Sequence, residues 1–305
     1  MQMLVVFLGT GGSMPTKERG LPSIAVRYAG ELLIFDCGES TQRQLLVSGL
    51  GLPRNINVFV THLHADHFLG IPGLLFTLGM LGRDAPITIH GPHGLREVVE
   101  MLLGACRVEL PFVVRISEIS EGIIYRSRGF TIDTMAVDHS VEAYAYRLKE
   151  NDRPGRMNVE YLESIGLERG PKWGLLQRGM PVEHKGQIID PAKAVGPPRP
   201  GRTIVYTGDT RPVDRLIDFS KNADVLIHDA TFSSEHLKKA MEDGHSTAEQ
   251  AAEIALKANV RELYLFHISP RYQDNEEKLL SEAKKIFQRS YLPHDLDKVE
   301  VPYLD

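Results

Sequence analysis

Thr61-His62-Leu63-His64-Ala65-Asp66-His67 places three imidazoles and a carboxylate within six residues, directly after Asn57–Thr61, a short apolar run of strand character. A core cannot absorb four such side chains, because each buried polar group without a partner costs about 1–3 kcal/mol. An irregular turn at a strand end points alternate residues to one side. His62 and His64 are therefore expected to share one metal ion, while Asp66 and His67, further round the turn, serve a second.

Two ions need more ligands than one loop supplies, and the chain offers them at other strand ends. Asp138-His139 follows Phe130–Val137, Gly208-Asp209-Thr210 follows Thr203–Thr207, and His267 follows Leu263–Phe266. A single histidine after a strand is usually a surface or satisfied core residue; it is the repeated placement that selects His139 and His267. Asp209 suits a bridging position, since a carboxylate can offer one oxygen to each ion.

Working outward, strand-like runs rich in β-branched and aromatic residues recur at Leu4–Leu8, Ser23–Tyr28, Leu32–Asp36, Ile87–His90, Ala143–Leu148 and Val225–His228, each closed by Gly, Pro or Asp. Helical periodicity marks Thr41–Ser48, Leu95–Leu103, Thr247–Ala258 and Glu276–Gln288, and Gly70–Gly82 is apolar and partly helical. Ser246 with Glu249 three residues on reads as an N-cap and its box partner. Strands then helices, twice over, predict an α+β fold of two packed sheets flanked by helices, in one domain spanning 1–305. The Gly- and Pro-dense segment 151–200, with the only tryptophan (Trp173), reads as an insertion rather than core. From Arg147 to Arg202 there are eleven Lys or Arg against seven Asp or Glu. That basic excess fits either a solvated loop or an arm that meets an acidic partner.

The 305 residues carry a net charge of −5, which gives no global reason to expect a nucleic-acid partner but leaves room for a local basic patch. Two cysteines, Cys37 and Cys106, exclude a disulfide scaffold. No basic segment precedes the first apolar run, and the longest greasy stretch, Ile71 to Leu81, is broken by Pro72, Gly73 and Gly79. A soluble cytoplasmic protein without a membrane partner is expected.

His-x-His-x-Asp-His at 62–67, with His139, Asp209 and His267 in order, resembles the metallo-β-lactamase superfamily. The resemblance implies a four-layer αββα sandwich with the metals at one edge. It places His62, His64, His139 and Asp209 on a first Zn2+ and Asp66, His67, Asp209 and His267 on a second; Mn2+ or another divalent ion suits the same ligands. Further stretches are similar to the short form of the ribonuclease Z family, the tRNA 3′-processing endonucleases. These are Phe7-Leu8-Gly9-Thr10-Gly11-Gly12, Phe35-Asp36-Cys37-Gly38-Glu39-Ser40-Thr41-Gln42, Pro15-Thr16-Lys17-Glu18-Arg19-Gly20, His228-Asp229-Ala230-Thr231-Phe232 and His245-Ser246-Thr247. The chain departs from the family pattern at Ser40 (commonly Gly), Gly20 (usually Asn) and Asp229 (Glu).

That resemblance implies a zinc-dependent endoribonuclease that removes the 3′ trailer from precursor tRNA, leaving a 3′-hydroxyl on the tRNA and a 5′-phosphate on the trailer, and working as a homodimer. Two zinc ions about 3.5–4 Å apart would lower the pKa of a shared water to about 7. Asp66 would accept its proton, the role the family gives this position. His245 is the candidate to assist the leaving oxygen, with Asp229 orienting it; a helix-start surface residue and an ordinary turn carboxylate are the plain alternatives. Asp36 either supports a ligand histidine or caps the helix near Thr41. Lys17 and Arg19 are expected near the scissile phosphate unless they form a solvated loop. Arg153, Arg156, Arg169, Lys172 and Arg178 would let a flexible arm grip tRNA through phosphate contacts. Two rivals remain: a hydrolase of the same fold acting on small phosphodiesters or other esters, and a non-catalytic tRNA-binding module with structural metals.

Overall fold

Near-continuous apolar strands are what a sheet covered on both faces requires. The structure, a computed structural model, describes residues 2–107 and 109–303. In chain order the strands are β1 (Leu4–Gly9), β2 (Ser23–Tyr28), β3 (Glu31–Phe35), β4 (Asn55–Phe59), β5 (Ile87–Gly91) and β6 (Val114–Glu118), then β7 (Gly122–Arg126), β8 (Phe130–Ala136) and β9 (Tyr144–Glu150). A hairpin of β10 (Val182–His184) and β11 (Gln187–Ile189) comes next. After it follow β12 (Thr203–Tyr206), β13 (Val225–Asp229), β14 (Glu262–Phe266), β15 (Ser290–Tyr291) and β16 (Lys298–Glu300). One seven-stranded sheet runs β16-β1-β2-β3-β4-β5-β6 and the other β15-β14-β13-β12-β9-β8-β7.

Period-two alternation sorts each strand into two cores. Val5 and Phe7 of β1, Val225 and Ile227 of β13, and Tyr264 and Phe266 of β14 meet between the sheets. Their neighbours Val6 and Leu8 pack outward with Leu45, Leu74, Leu78 and Val99 from the helices Thr41–Ser48, Ile71–Met80 and Leu95–Cys106. On the far side Leu226, Leu263 and Leu265 pack with Leu216, Ala251, Ala255 and Leu279 from the helices Arg215–Phe219, Ala248–Lys257 and Glu277–Ile286. The result is helix, sheet, sheet, helix. All ten strands expected from the sequence are present. The edge strands β6, β15 and β16 are short or broken by polar residues and lack the apolar runs that betray the others, while β7 has such a run in Ile123-Ile124-Tyr125 and was overlooked.

The cap of the helix Ala248–Lys257 lies one residue later than expected. Thr247 Oγ1 accepts from Gln250 N and the Gln250 side chain accepts from Thr247 N, a reciprocal box, while Ser246 Oγ donates to Thr210 O at 2.7 Å. Both frames satisfy the same sequence rule; Ser246 is occupied elsewhere.

The chain forms two compact units, Met1–Lys149 with Thr203–Asp305, and Glu150–Arg202. The second is the insertion, and it is more than a loop. It holds the helices Val159–Ser164, Pro171–Gln177 and Pro191–Ala194, the β10–β11 hairpin, and its own core of Leu162, Leu167, Leu176, Val182, Ile189 and Ala194. Two of its prolines are helix starts: Pro171 and Pro191 occupy first-turn positions that need no N–H, and Asn158 and Asp190 cap through their side chains. At its base the buried Arg202 guanidinium is bidentate to Glu150, at 2.9 and 3.1 Å. Arg147 and Lys149 belong to the first unit. The second therefore carries nine Lys or Arg against seven Asp or Glu, a smaller excess than the sequence window gave. Among the described residues no helix is long and apolar enough to cross a membrane.

Candidate metal centre

Because β3, β4 and β5 run parallel, as do β12, β13 and β14, their carboxyl ends share an edge, which is where open α/β sheets place ligands. His62 lies three residues past β4, His139 three past β8 and Asp209 three past β12; Asp229 ends β13 and His267 follows β14. The 61–67 segment first runs extended through His64 and then closes into the one-turn helix Ala65–Phe68. That break turns His62 and His64 one way and Asp66 and His67 another.

Two donor sets result, each drawn from distant parts of the chain. His62 Nε2 and His139 Nε2 both stand 3.1 Å from His64 Nδ1. Asp66 Oδ2 lies 3.3 Å from His267 Nε2 and 3.7 Å from His67 Nε2. Between the sets, Asp209 Oδ2 is 3.3 Å from His67 Nε2, 3.3 Å from His267 Nε2 and 3.7 Å from His62 Nε2. All seven residues named from the sequence come together here, in overlapping groups whose ligand atoms lie within 4.8 Å of one another.

Four of the five imidazoles are aimed by their other nitrogen. His67 Nδ1 meets Asp36 Oδ2 at 2.7 Å, His139 Nδ1 meets Gly244 O at 2.8 Å, His267 Nδ1 meets Thr231 Oγ1 at 2.8 Å, and His62 Nδ1 meets Thr61 Oγ1 at 2.9 Å. Asp36 thus braces the His67 ring and does not cap a helix: its carboxylate also accepts from Thr61 N and Tyr206 Oη, each at 2.7 Å. Glycines let the rings sit this close. A Cβ on Gly12 would lie 2.4 Å from His267 Cε1, and one on Gly244, at φ +87°, 2.7 Å from His139 Nδ1.

The residues fit a pair of cations. Asp209 Oδ1 and His67 Nε2 are buried with no hydrogen-bond partner, a cost that a bound ion removes. Burial, then the charge of His67, holds His62 well below the ordinary histidine range, and burial lowers His64 and His139 too, so these three keep lone pairs. Burial opposes the imidazolium of His67, yet the Asp209 and Asp36 carboxylates outweigh it and raise its pKa well above the usual value. The pocket therefore attracts positive charge. Burial also opposes ionisation of Asp66 and Asp209, but the facing histidines hold both carboxyls well below the carboxylate range.

Beside this centre, His245 Nδ1 is 2.9 Å from Asp229 Oδ2, and the His245 ring stacks on His267 with centroids 5.1 Å apart. Burial disfavours the charged ring, but the Asp229 carboxylate, with Asp209 behind it, pushes the pKa up to about 9. Asp229 is buried, accepting also from Thr210 N and from Thr231 N and Oγ1, so it is no surface turn carboxylate. Sequence reasoning missed Thr61, Tyr206, Thr231 and the Gly244 carbonyl. Thr61 and Thr231 both lay within motifs already singled out and were the two most open to notice.

Other expectations fare differently. Lys17 is exposed on the 13–18 loop. Arg19 is buried, its Nε and Nη2 on the Glu276 carboxylate at 2.5 and 2.6 Å and its Nη1 on Thr10 Oγ1 and Pro293 O. A guanidinium committed inward in this way does not reach a substrate phosphate, and that expectation is corrected. In the second unit Arg156, Arg169, Lys172 and Arg178 are exposed and Arg153 is half-buried. Arg169 lies over the Trp173 ring and Lys172 donates to Glu183 O at 2.5 Å.

Residues 180–268 match the family model described as Beta-lactamase superfamily domain, and residues 3–153 match that of the Anti-Pycsar protein Apyc1. Among curated proteins, the chain is 45% identical over 301 residues to Ribonuclease Z of Methanosarcina mazei, covering 98% of each chain. It is 42% identical to Ribonuclease Z of Haloferax volcanii, covering 100% of this chain and 97% of that one. The chain belongs to the ribonuclease Z family. Membership makes it a nuclease, a phosphodiester hydrolase. Its structure overlays on human tRNase Z, short form, with TM-score 0.72 and 27% identity over 98% of this chain and 100% of the other. The metallo-β-lactamase fold protein YhfI from Bacillus subtilis, at TM-score 0.70 and 21% identity over 98% and 100%, shares the fold. The two sheets and their helices are the metallo-β-lactamase fold that ribonuclease Z uses.

Proposed function

We propose that the chain cuts the 3′ trailer from precursor tRNA, leaving a 3′-hydroxyl on the tRNA and a 5′-phosphate on the trailer. The observation that carries this is the shared-carboxylate donor pair with a charged histidine beside it, in a chain of the ribonuclease Z family. His62, His64 and His139 would hold one zinc ion, Asp66, His67 and His267 a second, and Asp209 would serve both. Bound there, the two ions supply a nucleophile at neutral pH and neutralise charge on the phosphate.

The chain's own side chains do the rest. Asp66, ionised at neutral pH, is available to accept the proton of the attacking water, and Ser13 N at 2.8 Å from its Oδ2 holds it in place. His245, protonated at neutral pH, gives its free Nε2–H to the departing ribose 3′ oxygen. Asp229 keeps the Nδ1 proton in place, so the donated proton comes from the side facing the substrate. Lys17 would touch a phosphate near the scissile bond, and Arg153, Arg156, Arg169, Lys172 and Arg178 would hold the tRNA body through phosphates.

A homodimer acting in the cytoplasm completes the reading. Leu46, Val47, Phe76, Met80 and Leu81 are exposed apolar side chains on or beside the neighbouring helices Thr41–Ser48 and Ile71–Met80, as a subunit interface would need. Both cysteines are free thiols, which suits a reducing compartment. The deciding experiment maps both ends of the products from an end-labelled precursor tRNA, with metal content measured on the same sample. Metal-loaded protein that hydrolyses bis-p-nitrophenyl phosphate but leaves the precursor intact would move the activity to small phosphodiesters.

A further inference from the structure

The loop between Thr10 and Gly20 leaves the metal centre and returns to it. Gly12 N donates to Ile268 O, next to His267, and Ser13 N donates to Asp66. Its limbs are joined by Gly11 N to Gly20 O and Thr16 N to Arg19 O, each 2.9 Å. The tip is solvent-facing: Ser13, Met14, Pro15, Lys17 and Glu18 are all exposed. With no apolar core of its own, the loop takes its shape from whatever holds its base.

Two acidic side chains from the far end of the chain do the holding. Glu276 forks onto the Arg19 guanidinium, whose Nη1 also donates to Thr10 Oγ1 at 2.5 Å. Asp295 Oδ1 accepts from Thr10 N and Oγ1 at 3.0 and 2.7 Å, while its Oδ2 accepts from Gly20 N at 2.7 Å and Gln44 Nε2 at 3.1 Å. One carboxylate thus grips both ends of the loop. The other fixes the arginine that precedes its last residue. A bidentate Arg–carboxylate contact sets angle as well as distance, so the two clamps define the direction in which the tip projects.

We propose that Glu276 and Asp295 are positioning residues for substrate register: through Arg19, Thr10 and Gly20 they hold the 13–18 tip, with Lys17 on it, beside Asp66. That tip fixes which phosphodiester of an RNA 3′ end reaches the centre. The proposal rests on the nuclease reading above, and a structural stiffener alone would alter every activity alike.

Glu276→Gln and Asp295→Asn keep size and part of the hydrogen bonding, and hydrogen exchange of residues 11–20 reads the clamp without any substrate. Each variant should exchange about tenfold faster there while the sheets are unchanged. Metal content should stay near wild type and kcat on bis-p-nitrophenyl phosphate should fall only about two- to threefold, through the Ser13 contact to Asp66, while KM for a 3′-extended precursor tRNA rises about tenfold and cuts spread to adjacent bonds. Unchanged exchange at 11–20 overturns the clamp. A loosened loop with wild-type KM and a single cut site overturns the register role, and equal loss on both substrates with loss of metal shows a structural role only. A wild-type protein that leaves precursor tRNA whole defeats the register role along with the nuclease reading, and exchange still decides the clamp.

Discussion

Gly12→Ala should disable one half of the metal centre while leaving the fold in place. A Cβ at residue 12 would sit 2.4 Å from His267 Cε1 and Nδ1 and 2.7 Å from Cγ. Ordinary contact begins near 3.4 Å, so the ring must retreat by about 1 Å, and the Thr231 contact behind Nδ1 would go with it. Metal–nitrogen bonds tolerate only about 0.2 Å of error, so a displacement of this size removes His267 as a ligand. Misplacement of about 1 Å at a reacting centre costs roughly 10²-fold in rate, or about 2.7 kcal/mol. Elemental analysis should show the metal content falling from two ions toward one per chain, and kcat/KM on bis-p-nitrophenyl phosphate should drop about a hundredfold. Gly104→Ala is the control. It lies in the helix Leu95–Cys106 with nothing within 4 Å of its added Cβ, and it should raise stability by about 0.5–1 kcal/mol without touching activity. A Gly12→Ala enzyme with two ions and wild-type turnover would refute the claim that the glycine exists to admit His267.

Other outcomes follow from the same geometry. Asp229→Asn removes the charge that keeps His245 protonated, so precursor tRNA cleavage should fall about 10²-fold at pH 7, while a p-nitrophenolate leaving group, which needs little proton help, should lose far less; equal losses would deny His245 the acid role. Replacing residues 152–200 by a short Gly/Ser linker between Glu150 and Arg202 should weaken precursor binding at least about tenfold and spare bis-p-nitrophenyl phosphate, and binding measured by filter retention that stays unchanged would strip the second unit of its tRNA contacts. Native protein should react with one equivalent of a thiol reagent, at exposed Cys106, because Cys37 is buried and burial pushes its thiol up to about 12; two reacting equivalents before unfolding would contradict this. His90, stacked on Phe59 and held by burial at about 4 against an unfolded 6.5, stays neutral in the fold. Its neutral form contributes stability above pH 6.5 that is lost as pH falls toward 4, roughly 3 kcal/mol in all, so metal-free His90→Phe should show a shallower acid limb in denaturant titrations than wild type.

Much of the candidate site was legible because its side chains are of a type that a core rejects. Three histidines and an aspartate in six residues admit few explanations, and His139, Asp209 and His267 each follow an apolar run whose strand character is plain. The supports were less visible. Thr61, Tyr206 and Thr231 are ordinary strand-end residues by type, and their roles come from what faces them across a sheet edge, which no local pattern records. Arg19 misled for the opposite reason: an arginine in a Gly- and Pro-bounded loop reads as solvent-facing, and its true partner, Glu276, lies 257 residues away in sequence. The second unit was hidden by its own punctuation, since Pro171, Pro191, Asn158 and Asp190 are turn formers and helix starters alike, and only a core of six clustered apolar residues decides between them.

The centre joins two kinds of constraint that pull against each other. Seven candidate ligand side chains crowd where unpaired charge is costly, so a buried imidazole needs a partner at its rear nitrogen, and that partner needs room. Asp36 meets the first need at φ +56°, a backbone conformation a non-glycine residue rarely holds, and four hydrogen bonds from Thr61, His67 and Tyr206 make it tolerable. Gly12 and Gly244 meet the second by having no side chain at all. Substitution at these positions should therefore damage metal binding more than stability, the reverse of what their burial alone suggests. An Asp36→Ala chain that kept both ions while unfolding more easily would show the strain to be structural and unconnected to the centre.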